Sequence, residues 1–465
     1  MTDWDHLLAT ALVGTGRRPF RLDQLTIEGA DRVEAATAEA AVLSAAALAA
    51  GYRRAGWIPP AWRGTPPRPA DPDERPECTA AATQLLELLL ARRVEGSAER
   101  LAAHWFAAAR DSGRRPPFRL LPDLLRFGTA NPDERAVVKE VLGPRGAWLA
   151  GHNPSWHWAT RPRDVAGRFA TGTRAERLAL LGELRATDPA AARALVEDTW
   201  AKEPAALRAA LLDTLHIGLS KDDEPLLERA LDDRAASVRA AAAALLDSLP
   251  ASARARRMAE RARALWQRDA TFDLPGEPDE AARRDGITDT REPGQGRATS
   301  WLIQLLAATP LSTWDTRQIG KADKAVLTGW TRAALRQRDQ EWLVALARHQ
   351  PTPELVAALT PEAAADVLSR EQKVDTRFGH LLAAAPGPWA ARFSEELVDR
   401  LWAAKKDDVL RLASGALAEH LHPATLGSVE AWLTSLAPTR KVAHRALRGV
   451  AHALTIRATI LQEFS

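Results

Sequence analysis

The chain has 465 residues, 46% hydrophobic and 26% charged, with 27 Gly and 30 Pro, a composition that supports a folded core and excludes a disordered chain. Its 63 Lys and Arg against 60 Asp and Glu leave a formal charge of +3, a near-cancellation that differs from the cationic surface of a dedicated DNA binder. One cysteine, Cys78, excludes an intramolecular disulfide and any CxxC metal or redox site. The start Met1-Thr2-Asp3-Trp4-Asp5 is acidic where a secretory leader is basic, and no uncharged apolar run reaches about 18 residues, so the expectation is a cytoplasmic chain that spans no membrane.

In chain order, residues 1–57 read as N-terminal helices: a short amphipathic one carrying Trp4, Leu7, Leu8 and Leu12, and a longer Ala-rich one around residues 31–54. Between them, Gly14-Thr15-Gly16-Arg17-Arg18 has the residue types of an anion-binding turn. It lacks the preceding strand of a dinucleotide site, and a helix-ending loop is the simpler reading. Residues 58–76 hold seven prolines and form a linker. Residues 77–172 form a helical block that ends in His152-Asn153-Pro154-Ser155-Trp156-His157-Trp158, beside Arg161 and Arg163. This segment reads as an aromatic plug closing the junction to the next block, as a partner contact with Trp156, Trp158 and Arg161 as its binding residues, or as a surface for stacking a nucleobase.

Residues 173–272 carry an internal repeat. RLALLGEL (177–184), RAALLDTL (208–215) and RAAAAALL (239–246) superpose Arg177, Arg208 and Arg239 at a constant spacing of 31, which predicts one helix pair per period. Helix starts agree: Thr173 with Glu176 has the capping-box pattern, and Asp188-Pro189, Glu203-Pro204 and Asp223 before Pro225 place an acid ahead of a first-turn proline. Val238, Ala242, Leu245 and Leu249 share one stripe that only neighbouring helices can bury. The segment LLERALDDRAASVRAAAAALL (226–246) resembles the HEAT pattern, with Asp233 ending a first helix and Val238-Arg239 opening a second. Val238 would pack between the helices, and Asp and Arg would link successive turns by charge-assisted hydrogen bonds. The period is shorter than the 40–47 residues usual for HEAT and armadillo units.

Residues 273–298 gather Gly, Pro and charge, including Asp273, Glu277, Asp279, Glu280, Asp285 and Asp289, and read as a solvated loop whose most structured part is RDGI (284–287). In residues 299–465, Trp301, Trp342, Trp389 and Trp432 recur at intervals of 41, 47 and 43, each with an apolar residue four positions on. On a helix that places two large groups on one face, and the ladder predicts a second array with these four tryptophans buried in its seams. The fold class is therefore all-α, a HEAT-like α-solenoid of stacked helix pairs, with two arrays joined by the long loop as one arrangement.

At whole-chain level the sequence resembles a bacterial family of HEAT-like helical proteins that carries a domain-of-unknown-function label. The matching segments are LLATALVGTGRRP (7–19), LGPRGAWLAGHNPSW (142–156), DEPLLERALDDRAASVRAAAAALLDSLPASARARRM (223–258), RDGI (284–287) and GQGRATSWLIQLLAATPLSTW (294–314). The resemblance implies partners, because genes of that family typically neighbour those of a MoxR-type AAA ATPase, a von Willebrand factor A protein and a SWIM zinc-finger protein. It implies no catalytic residue.

No GxxxxGK[ST] loop, HExxH helix, GxSxG elbow or EF-hand loop occurs, which removes the commonest nucleotide, metalloprotease, hydrolase and calcium readings. His420 and His422, two apart beside Glu419, would diverge on a helix, so no metal or other cofactor is assigned. The expected function is a non-enzymatic protein-interaction scaffold or adaptor serving the AAA ATPase and the von Willebrand A protein. The alternative is a HEAT-like nucleic-acid-binding protein or DNA glycosylase, against which the near-neutral charge weighs.

Overall fold

The structure, a computed structural model, describes residues 3–56, 67–94, 97–160, 165–268 and 270–465. Among these, every regular element is a helix, and strand-like pairing is confined to two isolated bridges, Glu77 with Arg115 and Trp266 with Phe272. The chain divides into two compact units, residues 1–69 and 70–465, at a point inside the Pro-rich stretch.

The first unit pairs α1 (Asp3–Val13) with α2 (Ala38–Ala55) around Leu7, Phe20, Val42, Ala45 and Ala49. α2 starts later than the Ala pattern predicts. Thr37 takes the N-cap and accepts the Ala40 amide at 3.2 Å, while residues 30–32 form a short 3-10 turn. Gly14 ends α1 at φ +89, a left-handed value that suits glycine, and its carbonyl accepts the amides of Arg17 and Arg18 at 3.1 and 3.0 Å. Those two amides are used in the turn and cannot cradle an anion.

The second unit begins with α3 (Ala80–Leu90), α4 (Ala98–Asp111), α5 (Leu121–Ala130) and α6 (Arg135–Ala150), whose core is built on Leu86, Trp105, Phe106, Leu124, Leu125 and Val141. Next come α7 (Val165–Thr171), α8 (Arg174–Thr187), α9 (Pro189–Thr199), α10 (Ala205–Asp213), α11 (Glu224–Ala230) and α12 (Ala236–Leu246). α8, α10 and α12 start 31 residues apart, and each packs on the next, with α7 and α9 against α8 and α11 against α12.

The repeat extends to side-chain contacts. The Arg177 guanidinium lies 4.4 Å from the Phe169 ring centre and pairs with Glu203. Arg208 lies 5.7 Å from Trp200, again 31 residues on, and makes a bidentate pair with Asp233 at 3.0 and 2.9 Å. At Arg239 the pattern changes: Leu231 stands where Phe169 and Trp200 stand, so there is no ring to lie on. Arg239 donates instead to the carbonyls of Asp233 at 2.7 Å and Arg234 at 3.0 Å. Val238 is fully buried. The spacing did not reveal the Arg185–Asp223 pair. Both side chains are fully buried, and Arg185 reaches both Asp223 oxygens, at 3.0 and 2.9 Å, and the carbonyls of Pro189, Leu215, Ile217 and Gly218.

The segment expected to be a solvated loop is pinned at its centre. Beyond α13 (Ala253–Leu265), a short helix α14 (Glu280–Arg284) carries RDGI into the interior, where Asp285 is 1% exposed and Ile287 is buried. Gly286 has φ +96, and a Cβ there would stand 2.9 Å from that of Ala243, so the turn needs glycine twice over. Arg284 ties the motif back to Asp232 beyond α11 at 2.6 and 2.8 Å. The sequence signal of a loop was its polar composition, which holds for Asp273, Glu277, Asp279, Glu280 and Asp289, all exposed, but not for Asp285, which Arg257 and Arg261 neutralise in the interior.

The rest of the unit comprises α15 (Arg297–Ala308), α16 (Lys324–Gln337), α17 (Gln340–His349), α18 (Pro353–Ala357), α19 (Pro361–Arg370), α20 (Thr376–Ala384), α21 (Ala391–Ala404), α22 (Asp407–His420), α23 (Leu426–Ser435) and α24 (Lys441–Phe464). Next-but-one packing recurs along α18, α20, α22 and α24, and between α21 and α23. Trp301, Trp342, Trp389 and Trp432 are all buried. Trp389 departs from the expected register, since it precedes α21 instead of lying in it. It still meets Phe393 edge to face at 5.7 Å.

α24 joins two cores. Ala443, Leu447, Val450 and Leu454 face the C-terminal core, while Ala453, Ile456 and Ile460 face the core of α3 to α6. Both stripes repeat every three or four residues on one 24-residue helix, so it can be buried on two sides. Phe464 meets Trp105 of α4 edge to face at 5.2 Å. The last helix of this unit thus packs on its first two.

Candidate functional site

The aromatic segment forms a 3-10 turn, Pro154–Ala159, against α5 and α6. Trp158 is buried, donates Nε1 to Thr129 Oγ1 at 3.0 Å, and lies under the Arg135 guanidinium at 5.3 Å. Gly128 lets the ring in, because a Cβ there would overlap it. Trp156 is half-buried at the edge of the same core, and His152 and His157 are exposed. Arg161 and Arg163 lie outside the described residues. The Trp158 ring is therefore packing, with no face free for a base or a partner. His420 packs its ring against Trp389 at 5.5 Å, and His422 accepts the Ala424 amide on Nδ1, so the two imidazoles serve different local contacts.

A concave site in the second unit lies elsewhere, where α4, α22 and α24 meet. A cavity of about 410 Å³ opens there, its apolar lining supplied by Leu101, Ala418, Val442, Ala446, Val450 and Ala453. It exists because the facing helices carry small residues one turn apart: Gly415 and Ala418 on α22, and Ala446, Gly449 and Ala453 on α24. A Cβ at Gly449 would meet no atom within 4 Å. The charged lining is Arg100, Arg411 and Arg445 against one carboxylate, Glu419, which pairs with Arg100 at 2.9 Å. Arg411 and Arg445 are exposed and carry no ion pair with a described residue.

His104 reaches the cavity from α4. Burial, reinforced by the nearby Arg457 guanidinium, pushes its imidazole down to about 4, so it is neutral at pH 7 despite the opposing Glu419. Arg457 is buried behind it and donates to Leu421 O at 2.7 Å and Ala418 O at 3.3 Å, the carbonyl end of α22, where the helix dipole favours a cation. Burial lowers that guanidinium to about 10, which still leaves it charged at neutral pH. No sequence motif marks these groups, because they converge from three segments that are far apart in the chain.

A family model for DUF5691, a family of unknown function, matches residues 6–464. The chain belongs to DUF5691. The match spans both units and includes every residue of the cavity. No match was found among curated proteins or among solved structures. Among the described residues of this DUF5691 chain, no helix is long and apolar enough to cross a membrane.

Proposed function

We propose that the chain is a non-enzymatic protein-interaction scaffold, a HEAT-like α-solenoid acting in the cytoplasm, and that it serves a MoxR-type AAA ATPase and a von Willebrand A protein. The observation that carries the reading is the 31-residue recurrence of Arg177 on Phe169 and Arg208 on Trp200, each guanidinium also holding a carboxylate of the following segment. Such contacts make successive helix pairs a stiff, repetitive frame, the kind of surface on which partner chains assemble. The named partners rest on the family resemblance alone. Trp156 and Arg161 are the partner-contact candidates, and the buried Trp158 packs the same aromatic segment onto the helical block.

The test mixes the purified chain with the co-encoded ATPase and von Willebrand A protein and measures the mass of the species eluting from a sizing column with light scattering. A defined complex with either partner supports the scaffold, and Trp156→Ala should weaken it at least tenfold if that residue lies in the contact. Separate elution of all three proteins, with or without ATP, overturns it. Excision of a damaged base from duplex DNA by the chain alone would favour the glycosylase alternative instead.

A further inference from the structure

The geometry points to the cavity between α4, α22 and α24 as a binding site for an anionic amphiphile, an aliphatic chain ending in a carboxylate. This goes beyond the scaffold reading and does not depend on it. The size is that of a small-molecule site, and the pattern of apolar walls with a few convergent polar groups is the one such sites share. The walls are mostly aliphatic, built on Leu101, Ala418, Val442, Ala446, Val450 and Ala453, and no Phe, Tyr or Trp lines them.

The charges set the polarity of the ligand. Glu419 is already paired with Arg100 at 2.9 Å, which leaves Arg411 and Arg445 as the unmatched charges of the lining. Each lies one turn before a glycine of the cavity, Arg411 before Gly415 and Arg445 before Gly449, so both guanidiniums flank the open volume. Guanidinium suits a carboxylate because its planar donors match two oxygens at once. A cationic head would face two like charges. The neutral His104 imidazole adds no charge deeper in, so an aliphatic tail is not opposed there.

Gly449 provides a steric test that the fold should tolerate, since a side chain at this helical position grows into open space. The full chain is titrated by calorimetry with dodecanoate and, separately, with dodecyltrimethylammonium, both below their micelle concentrations. Expected results are one dodecanoate per chain, bound at least tenfold tighter than the cation. Gly449→Leu should weaken binding at least tenfold with unchanged circular dichroism. Arg411→Ala with Arg445→Ala should do the same, whereas Arg448→Ala, on the same helix outside the lining, should not. Equal binding of the two amphiphiles overturns the proposal, as does dodecanoate binding that survives both the Gly449 and the double arginine substitutions. An acidic amphipathic peptide that binds here and is not displaced by dodecanoate would make the cavity a peptide dock and overturn it equally.

Discussion

Arg257 grips Asp285 with three hydrogen bonds, Nε to both carboxylate oxygens at 2.9 and 3.1 Å and Nη2 to Oδ1 at 2.6 Å, and Arg261 adds a fourth at 2.7 Å. This knot lies where the 31-residue repeats meet the C-terminal helices. The apolar cores on its two sides share no residue, but Asp247, at the end of α12, pairs with Arg254 of α13 and Arg336 of α16, and Arg257 also reaches Glu228 of α11. Charge pairs thus couple the two cores. Burial alone would raise the Asp285 carboxyl; the hydrogen bonds from Arg257 and Arg261 outweigh it and hold it below 3.8.

Asp285→Asn leaves Arg257 and Arg261 without their shared carboxylate, and breaking a buried pair on one side costs about 3–5 kcal/mol. Chemical denaturation should show a loss of that order. Because the folded carboxyl titrates below its unfolded value, the wild-type contribution is present above pH 3.8 and fades as pH falls further. A variant as stable as wild type at pH 7 would mean that the knot carries no net stability.

Gly128→Ala sets two effects against each other. Alanine gains about 1 kcal/mol of helix propensity in α5, but its Cβ overlaps the rigid Trp158 ring, and overpacking costs about 1–3 kcal/mol. The ring is held by Thr129 and has little room to retreat, so net destabilisation is expected in a thermal melt. Gain of stability would show that the segment around Trp158 moves freely.

Val238→Asp replaces a fully buried side chain with a carboxylate that has no partner in the seam of α12. The lost burial is about 1.5–3 kcal/mol, and desolvation of the new charge adds to it. Marked loss of helical signal at 37 °C, or a much lower melting point, should follow, and an unchanged melt would contradict the seam assignment.

His104 should make the fold sensitive to acid. Its folded value, about 4, lies below the unfolded 6.5, so between those limits the unfolded chain binds more protons and stability falls as pH is lowered. The full effect is about 3 kcal/mol, reached near pH 4 and absent above pH 6.5. His104→Gln should flatten this part of the stability curve measured by denaturant titration, against a background that includes Glu419, His420 and Arg457 beside the ring. A curve of identical slope in both proteins would remove His104 as the cause.

The helical class, the 31-residue period and the burial of four tryptophans were legible in the sequence, because they follow from local periodicity, capping residues and the hydrophobicity of one helix face. Thr173 with Glu176 forms the capping box its spacing predicts, and α8, α10 and α12 start where the repeat places them. The register of Trp389 was not legible, since an i, i+4 pattern cannot tell a residue inside a helix from one in the turn before it. Nor was the ordering of RDGI, whose charges read as solvent-facing until Arg257, Arg261 and Asp232 are brought alongside by other helices.

Sequence by itself determined which segments are helical and which faces need cover, because both are set within a few turns of chain. Only the tertiary structure decided that α24 returns to α3 and α4 and that Arg100, His104, Arg411 and Arg445 surround one cavity. Their meeting depends on how some twenty intervening helices stack, and each small change in packing angle along the way moves the last helix relative to the first. No local pattern encodes that sum.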